Sequence, residues 1–392
     1  MNSTWEDFYA KHPPPQDLAQ SEALLKEFIG RQLERNKVVL VTSGGTTTPL
    51  EHNTVRFVDN FSAGTRGSVS AEYFLEKGYA VIFMHRVKSL EPFSRHFIGY
   101  KVLDMLEMKQ LEGKSVITAS ILHKYKEALN QDKLLQLTFT TVSEYLWLLR
   151  SACQALACLK DKAILYLAAA VSDFYIPSNE LSVHKISSSG PPTISLKLVP
   201  KLLAPLVNLW VPQAFVVSFK LETDENLLIS KARNALNKYK HNLVIANMLQ
   251  TRKQQVIIVN HENDYVISLT DEQLNKGEEI EKLIVNNLID RHQCFIRSNE
   301  KAKRMIYSMD NIRYKKKMLK EKRSRTFDLV FDIRISVSLL ISIHCATITF
   351  LQYHATVYQR SICATCLPKS FGNAIILFVL PSKPHSCHCE HS

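Results

Sequence analysis

Short apolar runs alternate with amphipathic segments over the first three-quarters of this chain, and that alternation limits the folds open to it. Six runs have the length and composition of buried strands: residues 38–43, 79–86, 135–141, 163–173, 214–220 and 242–247. Runs at 254–260 and 264–270 predict a terminal hairpin, and a helix from Asp271 to about Arg291 would close the unit. Strands that alternate with helices predict an α/β fold with a mainly parallel sheet, covered by helices on both faces.

Ligands of such sheets bind beyond the carboxyl ends of the strands, so the residues that follow each strand carry the functional information. The first such segment is VTSGGTTTPLE, residues 41–51, in which Gly44 and Gly45 allow a phosphate or ribose to approach the backbone. The segment has neither G-x-G-x-x-G nor G-x-x-x-x-G-K-[ST] spacing, so neither dinucleotide binding nor kinase-type chemistry follows from it. An ordinary turn is the alternative interpretation.

The second segment is VRFVDNFSAGTRG, residues 55–67, and it leads into a helix expected from near Gly64 to Lys77. Four candidate residues lie at the entry to that helix: Asn60, Ser62, Gly64 and Gly67. Backbone amides at a helix N-terminus bind anions, and Ser62 would cap the helix. Asn60 is suited to holding a carboxylate or acyl-phosphate oxygen, and Arg56 adds positive charge. A capped helix with turn glycines is the alternative.

The third segment, LAAAVSDFYIP at residues 167–177, ends a predicted strand with three alanines that leave space for a ligand. Asp173 would project into the same crevice, although a turn or cap role is equally compatible with the sequence. The stretch HKISSSGPP at residues 184–192 then predicts a mobile loop. From that loop Lys185 could close over a polyphosphate and stabilise developing charge, with a solvent-facing lysine as the alternative.

Two further residues end predicted strands. Phe219 is suited to packing on a purine ring and Asn247 to hydrogen bonding a base edge, although a buried Phe more often belongs to a core. No G-x-S-x-G nucleophile motif occurs in the sequence, and no zinc-ligand spacing occurs before residue 340. The site is therefore predicted to position its substrates and stabilise charge, without a covalent nucleophile or metal-ligating side chains.

The net charge of +12 is concentrated in one stretch of the sequence. Residues 300–326 contain eleven Lys and Arg residues against three acidic ones, while the preceding part is near neutral and shows no basic patch. This distribution argues against a nucleic-acid partner. The start of the chain lacks a signal-peptide pattern, so a cytoplasmic location is expected, with scattered reduced thiols at Cys153, Cys158 and Cys294.

Residues 297–392 are predicted to be an atypical tail, irregular or disordered, with no stable domain. An apolar stretch at 327–358 is broken by Asp332, Arg334 and His344, which makes it a poor membrane span, so no membrane partner is expected. A zinc site built from the cysteine and histidine residues between 363 and 389 is a less favoured alternative.

Taken together and in order, these segments resemble the phosphopantothenate–cysteine ligases, also called phosphopantothenoylcysteine synthetases. LVPKLLAPL, VSFKLET and VIAN complete the series, and the resemblance is to the eukaryotic single-domain form over residues 1–296. NFSAG stands here where NFSSG is common in the family. The resemblance implies a doubly wound, modified Rossmann-like fold and a homodimer.

The activity that the resemblance implies is the joining of 4′-phosphopantothenate to L-cysteine in coenzyme A biosynthesis. The substrate carboxylate would attack the nucleotide α-phosphate to form an acyl-nucleotidylate and pyrophosphate, and the cysteine amine would then displace the nucleoside monophosphate. ATP with Mg²⁺ is the implied nucleotide substrate, with CTP as the alternative.

The resemblance also implies roles for individual residues. The nucleotide would be bound by Gly44, Ser62, Gly64, Gly67, Phe219 and Asn247. Phosphopantothenate would be bound by Asn60, Ala169, Ala170 and Asp173. Arg56 would reach the substrate from the other subunit, and Lys185 would lie on the flexible loop that closes over the site. Asn60 and Lys185 would be the catalytic residues, Asn60 by orienting the acyl oxygen for aminolysis.

Two other functions are compatible with the predicted architecture. A nucleotide-dependent oxidoreductase is disfavoured because the G-x-G-x-x-G spacing and its acidic ribose-binding partner are missing. A non-catalytic nucleotide-binding protein on the same scaffold would be favoured by loss of the site residues, but Asn60, Asp173 and Lys185 are all present.

Overall fold

The computed structural model describes residues 4–97, 106–107, 116–117 and 119–359. The chain divides into a compact unit at Met1–Met305 and a second unit at Ile306–Ser392. The first unit contains the sheet and every candidate site residue.

The described strands are β1 (Val38–Ser43), β2 (Thr47–Pro49), β3 (Phe57–Asp59), β4 (Ala80–Arg86), β5 (Leu106–Glu107), β6 (Val116–Ile117), β7 (Leu134–Phe139), β8 (Ala163–Leu167), β9 (Phe174–Tyr175), β10 (Lys197–Leu198), β11 (Phe215–Glu222), β12 (Leu243–Met248), β13 (Gln255–Val259) and β14 (Asp264–Ser268). The described α-helices are α1 (Trp5–Lys11), α2 (Leu18–Gln32), α3 (Thr65–Glu76), α4 (Ala119–Asn130), α5 (Val142–Leu156), α6 (Leu203–Pro205), α7 (Glu225–Tyr239), α8 (Asp271–Asn275) and α9 (Ile280–Gln359). Short 3-10 helices lie at Ser94–Phe97, Ala157–Lys162 and Ser178–Glu180, and a π-helical turn at Leu206–Trp210.

Eight strands form one sheet in the order β14-β13-β12-β11-β8-β1-β4-β7. The six strands from β12 to β7 in this order run parallel, and β13 and β14 add an antiparallel edge. The chain moves from β1 outward through β4 and β7, then returns to the other side of β1 with β8. This doubly wound order confirms the predicted fold and places the switch point, where ligands of such sheets bind, between β1 and β8.

The central strands begin with apolar runs that are buried on both faces of the sheet. In β1, Val38 and Leu40 contribute to the core on one face, whereas Val39 and Val41 contribute to the core on the other. Helices α1, α2 and α5 supply apolar residues to the first core, and α3 and the start of α9 supply them to the second. Burial on both faces is what produces continuous apolar runs instead of an alternating pattern.

The end of the first unit differs from the sequence prediction of one helix from Asp271 to about Arg291. Gly277, with φ +69°, separates α8 from α9, because a left-handed residue interrupts a helix. Helix α9 then continues to Gln359, so residues 297–359, for which the sequence predicts an irregular segment, are helical. The sequence from Ile280 to Gln359 contains neither Gly nor Pro, the two residues that most disfavour a helix.

The alternative zinc site, between residues 363 and 389, lies outside the described residues. In the part of the chain that the structure describes, no helix is both long and apolar enough to span a membrane.

Candidate functional site

The end of β1 lies directly against the start of α3. Gly44 and Gly64 adopt left-handed backbone angles, with φ +80° and +84°. A Cβ atom on Gly67 would lie 2.4 Å from the Cβ of Ser43, and the Ser43 hydroxyl donates to the carbonyl of Gly64 at 3.0 Å. The glycines predicted from the sequence are therefore needed to bring the first turn of α3 onto the strand end.

The N-cap of α3 is Gly64, and no side chain among the described residues caps this helix. The Ser62 hydroxyl accepts a hydrogen bond from the Gly64 amide at 3.4 Å, so Ser62 closes a small turn and is not the predicted helix cap. The difference arises because the chain needs the left-handed conformation of Gly64 to enter the helix. The amides of the first turn of α3 are left available for an anionic group.

Asn60 is held in place by the backbone of the segment that follows β1. A Cβ atom on Gly45 would lie 1.6 Å from the carbonyl oxygen of Asn60, and the Asn60 amide donates to the carbonyl of Thr46 at 3.2 Å. Asn60 is half-buried and lines a cleft of about 180 Å³ together with Thr48, Val58, Ser172, Asp173, Phe174 and Leu196. The structure thus brings Asn60 and Asp173 together, as the sequence suggested.

Ala169 and Ala170 continue the pairing between β8 and β1 past the ends of both strands. The Ala170 amide donates to the carbonyl of Gly44 at 2.8 Å, and the Ala170 carbonyl accepts from the amide of Thr46 at 3.1 Å. The Ala169 amide donates to the Thr42 hydroxyl at 3.1 Å. The two alanines are therefore next to Gly44, at the switch point of the sheet.

Asp173 connects the Asn60 cleft to a larger one. Its carboxylate is exposed and forms an ion pair with Lys201, a residue that the sequence analysis did not assign to the site. Ala169, Asp173, Lys201 and Phe219 all line a neighbouring cleft of about 470 Å³. The proline–lysine pair in LVPKLLAPL was the available sequence signal for Lys201.

Phe219 and Asn247 are placed differently with respect to this larger cleft. Phe219 lines it and packs edge-on against Tyr166, with ring centroids 4.9 Å apart. Asn247 is buried, donates to the carbonyl of Lys220 at 3.0 Å and accepts from Arg66 at 3.5 Å. Asn247 does not line the larger cleft, but because Arg66 belongs to the first turn of α3, Asn247 is linked to the helix start.

Arg66 also forms an ion pair with Glu281 of α9 at 2.8 Å. Burial raises the pKa of the Glu281 carboxyl, and the charge of Arg66 acts against that rise. The pair joins α3 to α9 on the side of the sheet that carries the second core.

Arg56 and Lys185 lie near each other but line neither cleft. The Arg56 guanidinium contacts the Glu51 carboxylate, with Nε to Oε1 at 2.9 Å, and donates from Nη2 to the carbonyl of Ile186 at 2.7 Å. Lys185 is exposed, and within the described residues its side chain makes no hydrogen bond or ion pair. Glu51, which the sequence analysis missed, is fully buried.

Burial acts to raise the pKa of the Glu51 carboxyl, but the hydrogen bonds from Arg56, Ile186 and Val55 outweigh it and lower the pKa overall. The described residues contain no group of three or more His, Cys, Asp or Glu side chains arranged to hold a metal ion. The two connected clefts therefore offer the amide of Asn60, the carboxylate of Asp173 and the ammonium group of Lys201, and the Arg56 guanidinium lies outside them.

Comparison with known proteins gives this geometry a context. Residues 148–293 match the family described as the DNA/pantothenate metabolism flavoprotein C-terminal domain. The chain is 44% identical over 303 residues to phosphopantothenate–cysteine ligase of Homo sapiens, an alignment that covers 74% of this chain and 97% of the human protein. It is also 44% identical over 324 residues to the ligase CAB2 of Saccharomyces cerevisiae, covering 74% of this chain and 86% of the yeast protein.

A solved structure extends the similarity to the fold. A Cab2 mutant in complex with phosphopantothenate-cysteine superposes with a TM-score of 0.67 at 42% identity. The match covers 75% of this chain and 99% of the Cab2 chain.

Proposed function

This chain belongs to the phosphopantothenate–cysteine ligase family, and from that membership we propose how its residues carry out the reaction. It is a ligase of coenzyme A biosynthesis that joins phosphopantothenate to cysteine. The oxidoreductase and non-catalytic alternatives are thereby set aside.

The first step forms a mixed anhydride. The carboxylate oxygen of 4′-phosphopantothenate forms a bond to the α-phosphorus of the nucleotide, and the bond from that phosphorus to the bridging oxygen breaks to release pyrophosphate. The nucleotide phosphates would bind at the uncapped start of α3, beside Gly44, Ser62, Gly64 and Gly67. Amides fixed in that position stabilise negative charge without reorganising during the reaction.

The second step is aminolysis of the anhydride. The amine of cysteine attacks the acyl carbon, loses a proton and displaces the nucleoside monophosphate. We assign orientation of the acyl oxygen to Asn60, because its backbone is fixed by Gly45 and Thr46 while its side chain lines the cleft shared with Asp173. That shared cleft, next to the uncapped helix start, is the observation that carries the proposal.

The remaining substrate contacts follow from the positions of the strand ends. Phosphopantothenate would lie along Ala169, Ala170 and Asp173, with the charge of Asp173 balanced by Lys201. The base would lie near Phe219, with Asn247 turning from Arg66 to the base edge when the nucleotide binds. Lys185 would extend its exposed side chain over the phosphates.

ATP is the proposed nucleotide, and Mg²⁺ the proposed accompanying ion. Mg²⁺ is commonly bound by one or two carboxylates together with substrate phosphates, so the absence of a three-ligand cluster among the described residues is compatible with a metal carried by the nucleotide. Asp173, the acidic residue that lines both clefts, would contact it. The ion would offset phosphate charge.

We propose a homodimer because large apolar side chains are exposed on two adjoining hairpins. These are Phe57 and Val58 of β3, Phe61 of the next loop, Phe174 of β9 and Leu198 of β10. Phe61 is 91% exposed, and the hairpins are joined by a hydrogen bond from the Thr48 hydroxyl to the Phe174 carbonyl at 2.9 Å. Large apolar side chains exposed on adjoining hairpins are typical of protein interfaces, and a second subunit would also bring its Arg56 to the site. We also propose that the enzyme is cytoplasmic.

The test measures pyrophosphate and amide product with the full chain, 4′-phosphopantothenate, Mg²⁺, L-cysteine and either ATP or CTP. We expect both products with ATP, no release without phosphopantothenate, and release limited to about one equivalent per site when cysteine is omitted. A preference for CTP would contradict the nucleotide assignment while preserving the ligase. Failure of a folded dimer to release pyrophosphate with either nucleotide would contradict the proposed mechanism.

A further inference from the structure

The buried carboxylate of Glu51 joins two loops that carry proposed site residues, yet it lines neither cleft. One loop follows β2 and contains Arg56, and the other contains Lys185. Glu51 is the residue at which hydrogen bonds from both loops converge.

On its own loop, Glu51 binds both the backbone and the side chain of Arg56. Its Oε2 accepts from the amides of Val55 at 3.4 Å and Arg56 at 3.1 Å. Its Oε1 accepts from Nε of Arg56 at 2.9 Å and lies 2.7 Å from Nη2. The carboxylate therefore fixes the direction of the guanidinium and the turn from which it extends.

On the other loop, Glu51 and Arg56 together clamp Ile186. The Ile186 amide donates to Glu51 Oε1 at 3.4 Å, and the Ile186 carbonyl accepts from Arg56 Nη2 at 2.7 Å. Both backbone polar groups of the residue that follows Lys185 are thus held by one ion pair. We call Glu51, Arg56 and Ile186 the latch.

Backbone hydrogen bonds extend the contact towards the N-terminal side of the Lys185 loop. The amide of His52 donates to the carbonyl of Ser182 at 2.9 Å, and the amide of Asn53 donates to that of Val183 at 3.2 Å. Lys185 is exposed between these contacts and the latch. The loop is therefore fixed on both sides of the lysine that would have to reach the phosphates.

We propose that Glu51 is a positioning residue for the ligation: it latches the Lys185 loop to the Arg56 loop and so sets where both cations act. The role rests on the proposed function, because the cations matter only if they serve the two anionic substrates. An uncharged replacement would leave the guanidinium without its buried counter-charge and would place an NH₂ donor where two donors already point.

The first test follows the latch without substrates. Trypsin cleaves after Lys185, so the rate of cutting at the Lys185–Ile186 bond, followed by mass spectrometry on the folded full chain, reports opening of the latch. We expect Glu51→Gln to speed this cleavage about tenfold, which corresponds to about 1.4 kcal/mol. Glu51→Asp, which keeps the charge on a shorter side chain, should restore part of the protection.

Glu72→Gln is the matched control. Glu72 is also largely buried and paired with an arginine, Arg95, but it lies on α3 away from the latch. Glu72→Gln should lower the free energy of unfolding without changing the rate of cleavage after Lys185. If Glu51→Gln does not fold, Arg56→Lys removes the bond to the Ile186 carbonyl while keeping the charge, and it should also speed this cleavage.

The second test separates positioning from loss of folded protein. A smaller folded fraction lowers apparent kcat and leaves KM unchanged, whereas misplaced cations should raise KM for phosphopantothenate about tenfold as well as lower kcat. Glu72→Gln should leave that KM unchanged. Cleavage and KM equal to wild type in folded Glu51→Gln would overturn the proposal.

Different results would contradict the ligase mechanism and the latch. A wild-type chain without pyrophosphate release, combined with faster cleavage in Glu51→Gln, would overturn the ligase mechanism and leave the latch in place. An active wild type with unaltered cleavage and KM in Glu51→Gln would overturn the latch and leave the ligase mechanism in place.

Discussion

Gly45 shows how closely the backbone is packed at the site. Its Cβ position lies 1.6 Å from a backbone carbonyl, that of Asn60, so no side-chain rotation can relieve the contact. We expect Gly45→Ala to lower the free energy of unfolding by about 1–3 kcal/mol, as overpacking typically does, and to displace Asn60. Urea unfolding and the rate of amide formation measure the two effects.

The matched control for that substitution is Gly30→Ala. Gly30 lies in α2 with no atom within 4 Å of its Cβ position. Replacing a glycine in a helix interior by alanine should raise the free energy of unfolding by about 0.5–1 kcal/mol. The same substitution, glycine to alanine, is thus expected to change the free energy of unfolding in opposite directions at the two positions. An unchanged urea midpoint for Gly45→Ala would contradict the close packing of Gly45 on Asn60.

Asn60→Ala tests the catalytic assignment. Removing one hydrogen-bond donor at a developing oxyanion typically slows a reaction about 10²–10³-fold, so amide formation in single turnover should fall by that factor. Pyrophosphate release should be less affected, because it precedes aminolysis. Asn53→Ala is the control, since Asn53 is exposed and contacts Val183 through its backbone amide. Amide formation at the normal rate in Asn60→Ala would remove this residue from the mechanism.

At the scale of elements, the attachment of α9 to the sheet depends on a buried histidine. His292 Nε2 donates to the carbonyl of Asp161 at 2.8 Å, which leaves Nδ1 to accept from the Tyr79 hydroxyl at 2.8 Å. Burial lowers the pKa of His292 from 6.5 to about 4. Between these pH values the unfolded chain binds the proton and the folded chain does not, so stability should fall as pH decreases from 6.5 towards 4.

His292→Gln should flatten this dependence, because the replacement does not titrate. Urea midpoints at pH 7.5 and pH 5 measure it, and part of the slope should persist because burial also lowers the pKa of His241 to about 4. His123→Gln, at a side chain that is 79% exposed, should keep the wild-type slope. If stability falls as steeply with pH in His292→Gln as in the wild type, another group controls the loss of stability at acidic pH.

Some helices and strands could be predicted from the sequence, and others could not. The central strands were predictable because burial on both faces leaves long apolar runs, and the start of α3 because glycines are needed where it meets β1. Ser62 was misassigned as the cap since a local pattern cannot show that Gly64 enters the helix in a left-handed conformation. The length of α9 was missed because its charged sequence fits both a helix and a disordered segment.

For the whole molecule, the limits of prediction arise from contacts between segments distant in sequence. Asn60 and Asp173 could be paired because they lie on the connections that follow β1 and β8, neighbouring parallel strands whose ends converge at one edge of the sheet. The link between Glu51 and Ile186, 135 residues apart, has no local signal. The same holds for Arg66 and Glu281, whose pairing depends on how α9 returns to α3.

The division of the chain after Met305 leads to the last prediction. Every proposed site residue and the ion pair between Lys303 and Asp161 belong to Met1–Met305. A chain that ends at Met305 should therefore keep the kcat/KM of the full protein. Ending it at residue 296 removes the Lys303 pair, which is half-exposed and should cost no more than about 1 kcal/mol.

Steady-state kinetics and urea midpoints of the three chains provide the test, with sedimentation to compare their assembly. Equal kcat/KM for the full chain and the chain ending at Met305 would show that residues 306–392 are not needed for the ligation. Loss of activity or of the dimer on cutting at Met305, with the fold intact, would instead assign those residues a part in the assembly, because the shorter chain retains every contact described at the site.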